Sequence, residues 1–244
     1  MQGCILQDYE QFQQAAAVFE EAANLADEGT EEDAEIRVSW SECLLRLGRY
    51  AEALDALQPA GDSANVLLCR AEAHYYLRQF DKARELVETV LPLKPDDVDV
   101  ITVAVRVFEQ ARDYDRGIDL VQAALEREPM NIRLLSSAAD VYGAAGQLDD
   151  AQQFREKAAA TGRLQHRFSQ LHQEAIKDVN NALLRLELGQ LAEQLGKLQI
   201  AQTWYEAAFG MAPDNQEVQN EWERFQKAHA ATLSNRNATT SPRP

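Results

Sequence analysis

Four histidines, three cysteines and one short run of aspartates are the side chains here whose types suit metal binding or proton transfer. His166 and His172 are six residues apart, roughly 240° around a helix, so they cannot share a metal from one face. His74 and His229 stand alone in the sequence, and an ordinary surface or packing role fits all four. Cys4, Cys43 and Cys69 form no CxxC pair and have no further ligand at zinc-site spacing, so no metal site is expected. Asp96-Asp97-Val98-Asp99 has the charge of a calcium loop but neither its glycine nor its closing glutamate; an acidic helix N-cap fits it better. GxGxxG, GxxxxGK[ST], HExxH and GxSxG are all missing. No catalytic residue and no cofactor are therefore nominated, and the chain is not expected to be an enzyme. What remains is chemistry of recognition: the pair Tyr75-Tyr76, the cation Arg106, and a basic stretch with Arg155, Arg163 and Arg167.

Composition narrows the partner. The 244 residues carry a net charge of −16, which repels phosphate backbones and anionic membranes and disfavours nucleic acid as a direct partner. Residues 1–36 hold ten Asp and Glu and no Lys or Arg, read as a solubilising face. An odd number of cysteines without a framework argues against a disulfide-built domain. Free cysteines and no visible signal peptide favour the cytoplasm, and no apolar run approaches the roughly 18 residues of a membrane span. Asn237-Ala-Thr239 is a formal glycosylation sequon of little specificity.

The elements that must position these residues come from a repeat. Small residues recur at Ala53, Ala83, Gly117, Ala151 and Ala201, each three residues after a large one: Tyr50, Phe80, Tyr114, Leu148 and Leu198. The steps are 30, 34, 34 and 50 residues, and a period near 34 means stacked helical hairpins. Each unit reads as helix A, a tight turn, helix B and a loop. Small residues let the two helices approach, and large ones a turn away fill the groove between hairpins. Pro59 and Gly61 end one helix B early, which accounts for the 30-residue step.

The pattern resembles the tetratricopeptide repeat family over roughly residues 10–213. Its clearest unit is Leu188-Gly189, Gly196-Lys197-Leu198, Ala201, Tyr205, Ala208 and Pro213. The third and fourth units have Arg70-Ala71 and Ala104-Val105 where the family places Leu-Gly. The resemblance implies an all-α, right-handed α-solenoid of helix-turn-helix hairpins that binds a protein or peptide through a concave face lined by the A helices. Helical phase then offers Glu35, Val38, Glu42 and Leu45; Leu68, Glu72, Tyr75 and Tyr76; Asp99, Thr102, Arg106 and Glu109; and Arg133, Ser136 and Asp140. Glu42, Glu72, Tyr75, Tyr76, Arg106 and Asp140 are the partner-binding candidates, in an acidic groove with an aromatic patch. Some family members grip a carboxylate terminus with Lys, Arg and Asn at such places; Glu42 and Glu72 argue against that here.

The layout expected is a partial first repeat at 1–32, repeats at 33–62, 63–96 and 97–130, and a repeat at 131–180 whose second helix is lengthened to about 148–178. A repeat at 181–214, a capping helix at 215–232 and a disordered tail at 233–244 complete it. The lengthening follows from the 50-residue step: sixteen extra residues add about 24 Å of helix. Phe154, Ala158, Thr161, Leu164, Phe168, Leu171 and Ala175 keep one apolar stripe through Gly162. This arm is the locally basic stretch, a second candidate docking surface. Val218, Trp222 and Phe225 give the cap its inner stripe. The leading function is a non-enzymatic interaction scaffold. The half-repeat at the start motivates two alternatives: a recognition arm of a longer enzyme or secretion protein, and self-association through the N-terminal edge bearing Phe12 and Phe19.

Overall fold

The computed structural model describes the backbone of residues 2–237 and the side chains of residues 10–230. Within those bounds the chain is an all-α helical repeat of twelve helices, and no helix is long and apolar enough to cross a membrane. A first helix, α1 (Gln2–Leu25), is followed by five A–B pairs. These are α2 (Glu31–Arg46) with α3 (Tyr50–Leu57), α4 (Ala64–Tyr76) with α5 (Phe80–Val90), and α6 (Val98–Gln110) with α7 (Tyr114–Arg127). α8 (Ile132–Ala144) then pairs with α9 (Leu148–Lys177), and α10 (Ala182–Gln194) with α11 (Leu198–Met211). α12 (Gln216–Asn237) ends the described chain, so this helix runs past the boundary expected at residue 232. Residues 238–244 of the expected tail, the last two positions of the sequon and the Cys4 side chain lie outside the described residues.

One turn builds every A–B pair. The residue after the A-helix cap has a left-handed backbone: Gly48 (φ 74°), Arg78 (60°), Arg112 (58°), Gly146 (81°) and Gly196 (70°). The next amide then reaches back to the helix: Arg49 N–H donates to Leu44 O at 2.8 Å, Gln79 to His74 O at 2.9 Å, Asp113 to Phe108 O at 2.9 Å, Gln147 to Tyr142 O at 2.9 Å and Lys197 to Ala192 O at 2.8 Å. With the second bond one residue inside, this is the Schellman ending, which satisfies the last carbonyls of helix A. The A helices begin differently, on polar caps. Thr30 accepts from the Asp33 amide, Ser63 from Val66, Asp97 from Asp99 and Val100, and Asn181 from Leu184. After α3, Pro59 sits in a single 3-10 turn, Gln58–Ala60, ended by Gly61 at φ 70°. That stop holds α3 to 8 residues.

The described chain forms two compact units. Unit 1 comprises residues up to 129 together with 133–154; unit 2 comprises 130–132 and the residues from 155 on. In unit 1, Ala53, Ala83 and Ala151 are fully buried, and a Cβ on Gly117 would meet Val141 Cγ2 at 3.0 Å. Close approach at these sites lets Phe108, Leu134, Leu135 and Val141 fill the space between pairs. The first pair is tied by Asp33, which is fully buried. It accepts from Arg37 Nε at 2.7 Å and the Gly29 amide at 3.0 Å, while Arg37 Nη1 donates to Ala56 O at 3.1 Å.

In unit 2 the buried side of α9 carries Thr161, Leu171 and Ala175, with Leu164 and Phe168 half-buried. A Cβ added at Gly162 would meet Ile132 Cδ1 at 3.8 Å, an ordinary contact. Tyr205, Val218 and Phe225 form the core between α11 and α12. A carboxylate locks it: Glu193 accepts from Arg224 Nη1 at 2.9 Å and Tyr205 Oη at 2.8 Å, and its Oε1 lies 2.9 Å from His229 Nε2. Those donors hold the Glu193 carboxyl down near about 2, Arg224 being the largest cause.

Candidate functional site

Steps of 30, 34 and 34 residues place Glu42, Glu72, Arg106 and Asp140 at equivalent positions of four successive A helices. The structure arranges the first three along one groove of about 800 Å³ in unit 1. Its lining comes from α2 (Val38, Glu42, Cys43, Leu45, Arg46), α4 (Asn65, Leu68, Cys69, Glu72, Tyr76) and α6 (Asp99, Val103, Arg106). Phe12 of α1, Lys94 and Asp97 of the loop before α6, and Arg133 of α8 complete it. Glu35, Tyr75, Thr102, Glu109, Ser136 and Asp140, projected onto this face by helical phase, are not among the lining residues.

The centre is an ordered aromatic and cationic cluster. Tyr76 stacks on Tyr50 with ring centres 4.7 Å apart and meets Tyr75 edge-on at 5.5 Å. Tyr75 packs in turn on Phe80 at 5.8 Å. The Arg106 guanidinium carbon lies 5.6 Å from the Tyr75 ring centre and 5.8 Å from that of Tyr76. Its Nη1 donates to Tyr76 Oη at 2.9 Å and its Nη2 to Glu72 Oε1 at 3.4 Å. Tyr75 is thus a supporting residue, while Tyr76 keeps 40% of its surface exposed. Partial burial raises the Tyr75 phenol above its usual range, against the pull of Arg106.

The groove is of mixed charge along the stretch the structure defines, rather than acidic. Glu42, Glu72, Asp97 and Asp99 face Arg46, Lys94, Arg106 and Arg133. Three pairs are formed: Arg106 with Glu72, Arg133 Nη1 with Asp99 at 2.5 Å, and Lys94 Nζ with Asp97 at 3.3 Å. Lys94 also donates to Asn65 Oδ1 at 2.7 Å. Glu42 is in none of the ion pairs found among the described residues, and its carboxyl sits above the usual range. Desolvation is the largest cause, followed by Asp99 and Glu72, and Arg46 only partly offsets them. On α6, Glu109 is raised as well, by desolvation and then by Asp140.

Projection of helix A alone missed Lys94 and Asp97, because they sit in a B–A loop, and Phe12, because it belongs to α1. Arg46 was legible: it is 30 residues before Tyr76 and takes that position in the preceding repeat. Cys43 and Cys69 are buried free thiols in the groove wall. Burial pushes the Cys69 thiol up to about 12, helped by Glu42 and Glu72. No group of three His, Cys, Asp or Glu side chains among the described residues is arranged to hold a metal ion.

On α9, Arg155 and Arg163 are exposed, and Arg167 pairs with Glu187 through Nε at 3.0 Å and Nη2 at 2.8 Å. The basic stretch thus spends part of its charge bracing α10 within unit 2.

Tetratricopeptide repeat models match the chain over residues 1–64 and 182–215. Among curated proteins no sequence match was found. Solved structures similar to this chain include a thermophilic TPR protein of Thermus thermophilus, at 18% identity and TM-score 0.49, covering 79% of this chain and 98% of that one. A tetratricopeptide repeat protein from Parabacteroides merdae has 15% identity and TM-score 0.48, covering 90% and 99%. MamA from Desulfovibrio magneticus has 16% identity and TM-score 0.44, covering 75% and 97%. The tetratricopeptide repeat is thus matched at residues 1–64 and again at 182–215 of this chain, and one hairpin geometry recurs from Gly48 to Gly196.

Proposed function

We propose that this protein is a non-enzymatic scaffold that holds an extended or helical segment of a partner protein in the groove of unit 1. The observation that carries the reading is the ordered Tyr76–Arg106–Glu72 cluster in the wall of an open groove of about 800 Å³, with Tyr50 stacked on Tyr76. Tyrosine and arginine dominate binding hot spots, and side chains already locked in place lose little freedom on association. The family is typically one of scaffolds, which agrees.

A photo-crosslinking amino acid placed at Asn65 in the groove, at Arg163 on the basic arm or at Val18 on α1 tests this. All three positions are exposed. The groove reading expects another polypeptide to be captured from position 65, and capture to fall when Tyr76 and Arg106 are both replaced by alanine. Capture only from position 163 overturns it in favour of the arm. The position 18 variant addresses self-association, which has one supporting observation: Val18 and Leu25 on α1 keep 65% and 82% of their surface exposed. That second reading expects a covalent dimer of this chain from position 18.

A further inference from the structure

Glu42, Glu72 and Asp99 line the same groove from three successive A helices. Glu72 and Asp99 have their cations in Arg106 and Arg133. Glu42 has none among the described ion pairs, although Arg46 is one turn away on its own helix. The balance of charge around Glu42 is negative: the repulsion from Asp99 and Glu72, added to its desolvation, outweighs the attraction of Arg46. A positive group brought to that spot gains from all three carboxylates and relieves their repulsion. A metal ion does not suit the spot, because these described carboxylates do not come together as a ligand set. A long cation, whose donors are spread over several ångströms, suits carboxylates held apart on separate helices. Beside them the wall is apolar, with Val38, Leu45 and Leu68 half-buried and Phe12 keeping 38% of its surface exposed. The chain as a whole carries −16, which steers a basic partner toward it.

Resting on the groove reading above, we infer that the bound segment of the partner protein presents a lysine or arginine to Glu42, Glu72 and Asp99, with a bulky apolar residue beside it over Val38, Leu45 and Leu68. The groove volume accommodates several such side chains, so the recognised unit is a short stretch of chain.

A phage-displayed library of random dodecapeptides, selected on the full chain, tests this. Enriched peptides are synthesised and their binding measured by fluorescence anisotropy, and each is also checked for crosslinking to a photo-reactive residue at position 65. The expected result is a lysine or arginine next to an aliphatic or aromatic residue in the enriched set. Affinity should fall at least tenfold when that residue becomes citrulline or norleucine, and at least tenfold in Glu42→Gln. Selection on Glu42→Lys should no longer enrich basic peptides. Melting followed by circular dichroism checks that both variants stay folded; Glu42→Gln, an isosteric change at an exposed position, serves if Glu42→Lys does not. Peptides that crosslink at position 65 but are neutral or acidic, or that bind Glu42→Gln undiminished, overturn this inference and leave the groove reading standing. Peptides that never crosslink at position 65, or no enrichment at all, overturn both.

Discussion

At the scale of single residues, two positions carry backbone strain that the fold does not need. Arg78 and Arg112 occupy the left-handed site that Gly48, Gly146 and Gly196 fill in the other turns. A side chain there costs about 1 kcal/mol relative to glycine. Arg78→Gly and Arg112→Gly are each expected to stabilise the chain by about 0.5–1 kcal/mol, read as a higher denaturation midpoint. A lower midpoint for Arg112→Gly would refute the turn assignment. The three glycine turns are visible in the sequence as punctuation; the two arginine turns are visible only by counting the period, because arginine gives no local signal of a left-handed backbone. Glu193 makes a second prediction. Its folded carboxyl sits near about 2 against an ordinary value of 4.5. A depressed carboxylate contributes stability that is complete above pH 4.5 and is lost as pH falls from there toward 2. Glu193→Gln should cost about 2 kcal/mol at neutral pH, the exposure of Arg224 keeping the figure modest, and should flatten the acid side of the stability profile. Glu42 and Glu109 act with the opposite sign. Their raised carboxyls favour the folded state on protonation, and so work against the loss in mild acid expected from Glu52 and Glu88 of the same unit, which their arginine partners hold below the usual range.

Two glycines at the scale of elements look alike in sequence and differ in consequence. Gly162 lies within the 30-residue helix α9, and a Cβ there would make only an ordinary 3.8 Å contact with Ile132. Gly162→Ala should therefore stabilise by about 0.5–1 kcal/mol through helix propensity. Gly189 faces the Tyr205 ring, where a Cβ would come within 3.0 Å of Cγ. Tyr205 cannot retreat without breaking its bond to Glu193. Gly189→Ala should cost about 1–3 kcal/mol. Thermal melts of the two variants moving in the same direction would refute this contrast. The length of α9 is readable because Phe154 to Ala175 hold one helical phase without a proline. The end of α12 is not: Ser234-Asn235-Arg236-Asn237 offers no core residue, yet it holds no proline or glycine to stop a helix, and α12 runs through it.

For the whole molecule, the sequence speaks through its period more than through any motif. The period alone aligns Glu42, Glu72 and Arg106, because equivalent positions of stacked helices must share a face. Pairing is not legible in the same way. Whether Arg106 reaches Glu72 or Arg133 reaches Asp99 depends on the few ångströms between adjacent A helices, which composition does not encode. The groove's balance of charge is hidden for the same reason, since half of its cations come from a loop and from the far helix α8.

The buried thiols of α2 and α4 turn the groove wall into its own clock. A thiol reacts with alkylating reagents as the thiolate, and Cys43 and Cys69 are both buried with their ionisation suppressed. In the closed chain at neutral pH they should be labelled by iodoacetamide far more slowly than an exposed cysteine, so their labelling rate counts how often α2 and α4 part from their neighbours. A segment seated in the groove should slow that clock. Peptide-resolved mass spectrometry of the two cysteines would then time the breathing of the binding face without a dye, a tag or a mutation.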